Sequence, residues 1–313
     1  MATAFGEAIP EQEIEFVRER VQRWFAREAR DLPWRRTRDP YRILVSEVML
    51  QQTQAERVIP FYEAFVTRFP TLERLAAAPL AEVIAAWGGL GYNRRAVYLW
   101  RAARQIVERY GGAFPRDRRE LERLPGVGRY TAGAVLCFAF GEPVAFWDTN
   151  IARVLTRVFV GPEARLTGRQ LDELAGRVLP RDRAYAWNQA LMELGARVCT
   201  NRRPRCGQCP VREVCRSAGT SGSVRRRGER FVGSRRYYRG RIVAALRRVP
   251  SGLSLEELAR LLREGVPSSD AVDLTRLVEE LAGEGLLELR EERGGYVVSL
   301  PGASTGAESR ELR

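Results

Sequence analysis

The chain has 313 residues, with 52 basic and 39 acidic side chains, which gives a formal net charge of +13. Every basic residue is arginine, and histidine is absent as well. This composition excludes a lysine Schiff base, a histidine general base, a Ser-His pair and histidine metal ligands. The length predicts two or three domains, and the excess of positive charge favours a polyanionic partner.

Hydropathy and the N-terminal residues bear on location. No run of about 18 apolar residues occurs, so no membrane span is predicted. The N-terminus has no basic segment followed by an apolar one, as a secretory signal would, and this predicts a cytoplasmic protein. In a reducing compartment the five cysteines are not expected to form disulfides. We also expect a monomer.

Residues 11–215 are predicted to be helical. Apolar residues recur there at spacings of three and four, and few stretches alternate with period two. The clearest predicted helices cover residues 11–28, 80–90, 94–111 and 167–179.

A glycine-containing turn is predicted within residues 124–143, where Gly126 and Gly128 precede a helix that starts near Thr131. Glycines allow positive φ angles and close approach of the backbone. The exposed amides at the helix start can hold a phosphate oxygen. Helix, Pro-Gly-Val-Gly turn and helix together have the form of a helix-hairpin-helix DNA-binding element.

Four cysteines lie within seventeen residues, as C-x6-C-x2-C-x5-C, at Cys199, Cys206, Cys209 and Cys215. Thiols so close together in a cytosolic chain predict a metal centre. The compact, uneven spacing favours a 4Fe–4S cluster, while an all-cysteine zinc site remains the alternative. The fifth cysteine, Cys137, lies in an apolar run and is predicted to be a core residue.

The composition changes after the cysteines. A Ser/Gly-rich linker at 217–224 is followed by residues 225–248, which hold ten arginines and one acidic residue. Residues 239–300 predict three helices and two short strands around an Arg293-Gly294-Gly295 turn, the order of a small winged-helix domain. The tail after Pro301 is predicted to be disordered.

Five motifs, taken together, resemble the MutY-type adenine DNA glycosylases of the helix-hairpin-helix, Gly/Pro-Asp superfamily. They are SEVMLQQTQ (46–54), GLGY (89–92), LPGVGRYTAGA (124–134), WDTNIARVL (147–155) and the four cysteines. The resemblance covers about residues 10–220. It implies an all-α core, made of a six-helix barrel and a helical 4Fe–4S domain, with the small α+β winged-helix domain added at the C-terminus.

The resemblance also implies a role for particular residues. Glu47 matches the general acid, and Asp148 matches the carboxylate that stabilises positive charge on the sugar. Tyr130 stands where lyase relatives carry their lysine, and Asn150 matches a residue that orients the aspartate. The residues that match contacts to the duplex or to the base opposite adenine are Gln52, Thr53, Leu90 and Tyr92. Those that match the adenine pocket are Trp34, Arg35 and Gln189.

The chemistry of the residues agrees with this resemblance. An N-glycosidic bond breaks through an oxocarbenium-like state, which needs a proton on the base and negative charge near the sugar. The apolar neighbours of Glu47 favour its protonated form, and a helix start favours an ionised Asp148. With Tyr130 and no lysine, water is the expected nucleophile. The expected partner is double-stranded DNA with a mismatched or damaged base pair, from which the adenine is flipped out.

Two departures and two alternatives accompany this interpretation. Residues 225–313 do not resemble the Nudix-like domain that family members commonly carry, and Asn93 stands where an aromatic or small residue is more familiar. The alternatives are a thymine or uracil mismatch glycosylase and a non-catalytic DNA-binding regulator. The predicted domains are residues 1–30 with 143–220 for the cluster, 31–142 for the barrel, 221–301 for the linker and winged helix, and 302–313 for the tail.

Overall fold

The computed structural model describes residues 9–220, 231–263, 273–292 and 295–302. The chain divides into two compact units. The first unit contains Met1–Leu44, Arg116–Glu122 and Val127–Arg226, and the second contains Val45–Pro115, Arg123–Gly126 and Arg227–Arg313. These units differ from the segments expected from the sequence, whose boundaries at residues 31, 143 and 221 remain a prediction.

The described part of the chain is mainly α-helical. The helices are α1 (Glu11–Glu28), α2 (Pro40–Leu50), α3 (Ala55–Arg68), α4 (Leu72–Ala77), α5 (Leu80–Ala86), α6 (Arg94–Tyr110), α7 (Arg118–Glu122), α8 (Arg129–Phe140), α9 (Thr149–Phe159), α10 (Gly168–Val178), α11 (Ala184–Arg197), α12 (Arg235–Leu246), α13 (Leu255–Arg263) and α14 (Leu274–Gly283). The strands are β1 (Leu253–Ser254), β2 (Glu288–Glu292) and β3 (Gly295–Ser299). The predicted helices at 11–28, 94–111 and 167–179 are confirmed to within one residue, whereas the one at 80–90 ends earlier, at Ala86.

Helix α11 forms the centre of the first unit, where it packs against both α1 and α9. It buries Trp187, Leu191 and Leu194, and polar side chains on the same helix are buried too. A helix that is buried nearly all round can place polar groups inside a unit, provided that they find hydrogen-bond partners.

Two helix starts in the first unit follow from local sequence. The side chain of Thr167 caps α10, and Gln170 completes a reciprocal capping box with it. The side chain of Asp148 caps α9 by accepting backbone hydrogen bonds in the same way. Asp148 therefore has a structural reason for its position, in addition to any chemical one.

In the second unit, α4 and α5 pack against α6. Helix α6 ends at Gly111, which adopts a left-handed conformation (φ 62°) and closes the last turn. The C-terminal domain belongs to this unit. Its core contains Ile242, Leu258 and Val298, and it extends to Ile84 of α5 and Val97 of α6.

The C-terminal domain has the predicted order of three helices followed by a hairpin. Its three strands form an antiparallel sheet in the order β1-β3-β2, with Leu289 opposite Val298. The sequence did not predict β1, which has only two residues. Parts of three predicted features lie outside the described residues: the second half of the linker at 217–224, the first two residues of the turn at 293–295, and the tail from residue 303 onward.

Across the described ranges, none of the helices combines the length and the hydropathy that crossing a bilayer requires.

Candidate functional site

Asp148 lies half-buried at the start of α9, in the first unit. Its Oδ1 accepts hydrogen bonds from the backbone N–H groups of Asn150 (2.9 Å) and Ile151 (2.8 Å). Its Oδ2 accepts one from the Asn150 side chain (2.9 Å). Three N–H donors therefore hold this carboxylate at the positive end of the helix dipole. The predicted placement of Asp148 at a helix start is confirmed.

Arg153 fixes the side chain that orients Asp148. It donates hydrogen bonds to Asn150 Oδ1 (2.8 Å), the Gly195 carbonyl (2.8 Å) and the Cys199 carbonyl (2.8 Å). Helices α9 and α11 can approach this closely because Gly195 has no side chain: a Cβ there would lie 2.7 Å from that of Asn150. A chain of hydrogen bonds therefore joins Asp148 to the backbone of the cysteine loop.

Tyr130 lies in the first turn of α8. Its hydroxyl donates a weak hydrogen bond to the Met192 sulfur (3.6 Å), and its ring meets that of Phe146 edge to face at 5.5 Å. Phe146 in turn packs on Gly133, where a Cβ would approach it to 2.7 Å. The phenol is thus held in a defined position, and a phenol cannot form the Schiff base that a lysine amine can form.

The residues predicted for the adenine pocket, Trp34, Arg35 and Gln189, are brought together in the first unit. Arg35 Nε donates to Gln189 Oε1 at 2.8 Å. The Trp34 side chain, next to Arg35 in the chain, is also buried. Sequence reasoning missed the group that organises them, Glu193 of α11, whose Oε2 accepts from Arg35 NH2 at 2.8 Å.

Glu193 is fully buried and accepts hydrogen bonds from two guanidinium groups. Besides Arg35, Arg30 donates to both of its carboxylate oxygens, at 2.7 and 2.9 Å. Burial is the largest single influence and raises the pKa of Glu193, but the hydrogen bonds and charges of Arg30 and Arg35 outweigh it and lower that pKa below its ordinary value. The carboxylate is therefore a structural anion.

The glycine turn between α7 and α8 has the predicted conformation. Gly126 adopts a φ of 75°, and a Cβ there would lie 2.8 Å from that of Tyr98, so this position requires glycine. Gly128 is the N-cap of α8. Both glycines are exposed, so the amides at the start of α8 are accessible to a phosphate oxygen.

Glu47 lies on α2 and is only 3% exposed. Its neighbours Val45, Val48 and Met49 are buried as well. Such surroundings disfavour the charged form of a carboxyl group, because little solvent stabilises it. The structure therefore places Glu47 at a buried position beside the apolar residues that the sequence pointed to.

Arg95, which sequence reasoning also missed, connects the end of α2 to the GLGY loop. Its guanidinium donates to the carbonyls of Val48 (2.9 Å), Met49 (2.8 Å) and Gly91 (3.1 Å), and to Thr53 Oγ1 (3.2 Å). Burial lowers the pKa of Arg95 to about 10. The positive charge lies at the negative end of the α2 dipole, which partly offsets the cost of burying it.

The residues predicted to contact the duplex differ in exposure. Gln52 (φ 58°) and Tyr92 (φ 49°) are the two non-glycine residues with positive φ within the described ranges. Tyr92 is 46% exposed, whereas Leu90 is 2% exposed and packs inside the second unit. Of these two residues, Tyr92 is thus the one that is accessible to DNA. The positive φ angles of Gln52 and Tyr92 are strained, and such a backbone persists where surrounding contacts hold it.

The four cysteines predicted to bind metal line one cavity. Apolar side chains, including Val154 and Leu194, form part of its wall. Arg157 NH1 lies 3.5 Å from Cys199 Sγ. Burial raises the pKa of Cys209 to about 11 and also raises that of Cys215. In the described residues, no three His, Cys, Asp or Glu side chains form a group suited to a single metal ion.

Cys137 is buried in α8, as predicted, and its sulfur accepts a hydrogen bond from Asn188 at 3.4 Å.

The residues missed from the sequence share one signal. Arg95 is a charged residue among the buried apolar residues of α6, and Glu193 is a charged residue among the buried residues of α11. A charged residue at a core position needs buried partners, so the position of each residue could have indicated a polar network. The sequence could not identify their partners, because these are distant in the chain. Val48 and Met49 lie 46 or more residues from Arg95. Arg30 and Arg35 lie 158 or more residues from Glu193.

Comparison with known sequences gives a consistent result. Residues 45–179 match the HhH-GPD superfamily of base excision DNA repair proteins. The adenine DNA glycosylase of Mycolicibacterium smegmatis is 44% identical over 269 residues, which cover 85% of this chain and 90% of that protein. The human adenine DNA glycosylase is 48% identical over 206 residues, which cover 62% of this chain but only 38% of that protein.

Solved structures resemble about two thirds of the chain. A thermostable thymine-DNA glycosylase has a TM-score of 0.62 and 35% identity, and the match covers 66% of this chain and 96% of that one. A trapped endonuclease III–DNA covalent intermediate has a TM-score of 0.59 and 25% identity over 67% of this chain and 97% of that one. These matches confirm the predicted glycosylase fold. The chain is therefore a DNA glycosylase and belongs to the adenine DNA glycosylase family of the HhH-GPD base-excision repair superfamily.

Proposed function

We propose that the chain removes adenine mispaired with 8-oxoguanine or guanine from duplex DNA by hydrolysis. The orientation of Asp148 is the observation that carries the proposal. Its carboxylate is held by three N–H donors at the start of α9, so its negative charge has a fixed direction before any substrate binds. Charge that is oriented in advance stabilises a developing cation without a cost of reorganisation.

In the proposed reaction, Glu47 protonates the adenine and Asp148 stabilises the cationic sugar. Asn150 keeps the aspartate in place, and burial of Glu47 supports its role as an acid. Water attacks the sugar and leaves an abasic site with an intact strand. The strand stays intact because the chain contains no lysine. Strand cleavage by elimination would need a Schiff base to the sugar, which a lysine amine would form.

We further propose that Arg35 and Gln189, with Trp34, recognise the flipped adenine, and that Gly126 and Gly128 hold a phosphate. Gln52, Thr53 and Tyr92 are assigned to the duplex around the mismatch. Leu90 is buried, so we assign it to supporting the GLGY loop from within and not to a contact with the duplex.

A panel of four duplexes tests the proposed reaction. Adenine opposite 8-oxoguanine and adenine opposite guanine are expected to yield strand breaks only after alkali, while thymine and uracil opposite guanine remain uncut. Breaks confined to thymine or uracil would support the second candidate, which the 35% identity to a thymine-DNA glycosylase favours. Breaks without alkali would contradict the hydrolytic mechanism.

We also propose that the cysteine cavity holds a 4Fe–4S cluster, with Cys199, Cys206, Cys209 and Cys215 as ligands. Four thiol donors line one cavity, and Arg157 lies beside one sulfur, where it can offset negative charge. Such a cluster would connect the two ends of the loop and so maintain its shape.

We expect the purified protein to be brown, with a broad visible absorption band and about four iron atoms per chain. Replacing Cys209 with serine is expected to abolish the band and the bound iron. The matched control is Cys137→Ala, which changes the fifth cysteine, lies outside the cavity and should keep both. A colourless protein that binds zinc would contradict the proposal.

A further inference from the structure

Two arginines connect the C-terminal domain to the GLGY loop and the following Asn93, all within the second unit. Arg236 lies in helix α12, and Arg247 is its C-cap. Arg236 NH1 donates to the Tyr92 hydroxyl at 3.3 Å. Arg247 NH2 donates to Asn93 Oδ1 at 2.9 Å, and its Nε donates to the Ile84 carbonyl at 3.0 Å. The C-terminal domain is therefore bonded directly to the residue that we assign to the duplex and to its neighbour.

These contacts explain the unusual Asn93. It occupies the N-cap position of α6, but its side chain makes no capping hydrogen bond. Its oxygen instead accepts from Arg247, whose guanidinium is largely buried, and this burial lowers the pKa of Arg247 to about 10. A buried cation needs polar partners. Asparagine at this position therefore serves the attachment of the C-terminal domain.

An exposed aromatic patch lies at this attachment, defined by Tyr92, Phe231, Val232 and Arg236. The three apolar members are 46%, 51% and 48% exposed. The Arg236 guanidinium lies 5.0 Å from the centre of the Phe231 ring and also bonds Tyr92, so one cation contacts both rings. Exposed rings beside a cation are a combination typical of surfaces that bind nucleic-acid strands.

The charge pattern of α12 distinguishes Arg236 from its neighbours. Arg235 pairs with Glu280, and Arg239 pairs with Glu284. Among the described residues, Arg236 forms no ion pair, and its charge is therefore available for an external anion. Glu280 and Glu284 offset the charges of Arg235 and Arg239, so attraction for a phosphate is concentrated at Arg236, within the aromatic patch.

We propose that the C-terminal domain belongs to the DNA-binding surface, where Phe231 stacks on a base and Arg236 binds a phosphate of the strand that Tyr92 contacts. This proposal depends on the proposed function, because Tyr92 is assigned to DNA there. It gives the winged-helix domain a role in positioning the strand with the base opposite adenine, in addition to its packing on α5 and α6.

The test is equilibrium binding of the full chain to a duplex that holds an abasic-site analogue opposite 8-oxoguanine. Phe231→Ala is expected to weaken binding about 10-fold, in line with the loss of a stacked base. Arg236→Ala should weaken binding and make its salt dependence shallower by about one unit of slope. Both side chains are exposed, so the melting temperature should not change.

Two matched controls come from the same domain. Tyr296→Ala removes an aromatic ring that is 50% exposed on β3, and Arg260→Ala removes an exposed charge from α13. Both should bind within about 2-fold of the unaltered chain. If Phe231→Ala and Arg236→Ala bind like these controls, the proposal is overturned.

Adenine release by the unaltered chain is measured in parallel, so that the two proposals fail separately. No release, together with weakened binding in the two variants, would reject the proposed function and support the DNA contact. Normal release, with every variant binding like the controls, would reject the DNA contact alone.

Discussion

Replacing Asp148 with asparagine will lower the single-turnover rate of adenine release by about 1,000-fold, because it removes preorganised negative charge from the cationic transition state. Asparagine is as good an N-cap as aspartate. The variant can therefore keep the bonds from the backbone N–H groups of Asn150 and Ile151. The substitution removes the charge and leaves the start of α9 intact.

Binding measurements separate this effect from misfolding. The affinity of Asp148→Asn for duplex DNA should remain within about 3-fold of the unaltered chain, since no phosphate contact is lost. Glu47→Gln is the companion variant and should lower the same rate by about 100-fold, the usual contribution of a general acid. Full turnover by Asp148→Asn would refute the role that we assign to the carboxylate.

Replacing Glu193 with alanine will reduce the free energy of unfolding by about 3 kcal/mol, because it leaves two partly buried guanidinium groups without their shared anion. Arg30 and Arg35 are 25% and 12% exposed, so solvent cannot fully replace the lost carboxylate. Urea unfolding followed by circular dichroism measures the change. The matched control is Glu19→Ala, which breaks an exposed pair with Arg23 on α1 and should cost less than about 0.5 kcal/mol.

The Glu193 effect should also depend on pH. The folded pKa of Glu193 lies below its ordinary value of 4.5. The unfolded chain therefore takes up a proton at this residue before the folded chain does, and the stabilisation is fully present above 4.5. It is lost as the pH falls from 4.5 through the folded value. The difference in the free energy of unfolding between Glu193→Ala and the unaltered chain should become smaller as the pH falls over that interval. A difference that does not change with pH would contradict the role of Glu193 as a structural anion.

The sequence predicted the elements whose causes are local. Periodic apolar residues and a capping box determine α1 and α10, and Asp148 could be placed at a helix start from its own neighbours. The motifs also led to the family, because five of them occur in order. Local patterns do not extend to partners distant in the chain, however. Arg95 reaches carbonyls 44 or more residues earlier, and Glu193 binds arginines about 160 residues earlier.

The exposure of individual side chains was harder still to predict. Leu90 and Tyr92 are two residues apart in one motif and were given the same role, yet one is buried and the other exposed. Backbone conformation decides this, because the positive φ angles at Gly89, Gly91 and Tyr92 turn successive side chains in different directions. Asn93 could be recognised as unusual from the sequence, but its partner Arg247 became evident only from the fold.

The bonds of Arg95 have a thermodynamic consequence for the encounter with DNA. Gln52 and Tyr92 are held in left-handed conformations that bulky residues rarely adopt, and the free protein already contains the contacts that offset this strain. The segments around Gln52 and Tyr92 therefore lose their conformational entropy during folding, before the protein meets a duplex. Binding of the protein to DNA then costs less conformational entropy. More of the free energy gained from the contacts remains available for distorting the DNA duplex around a mispair.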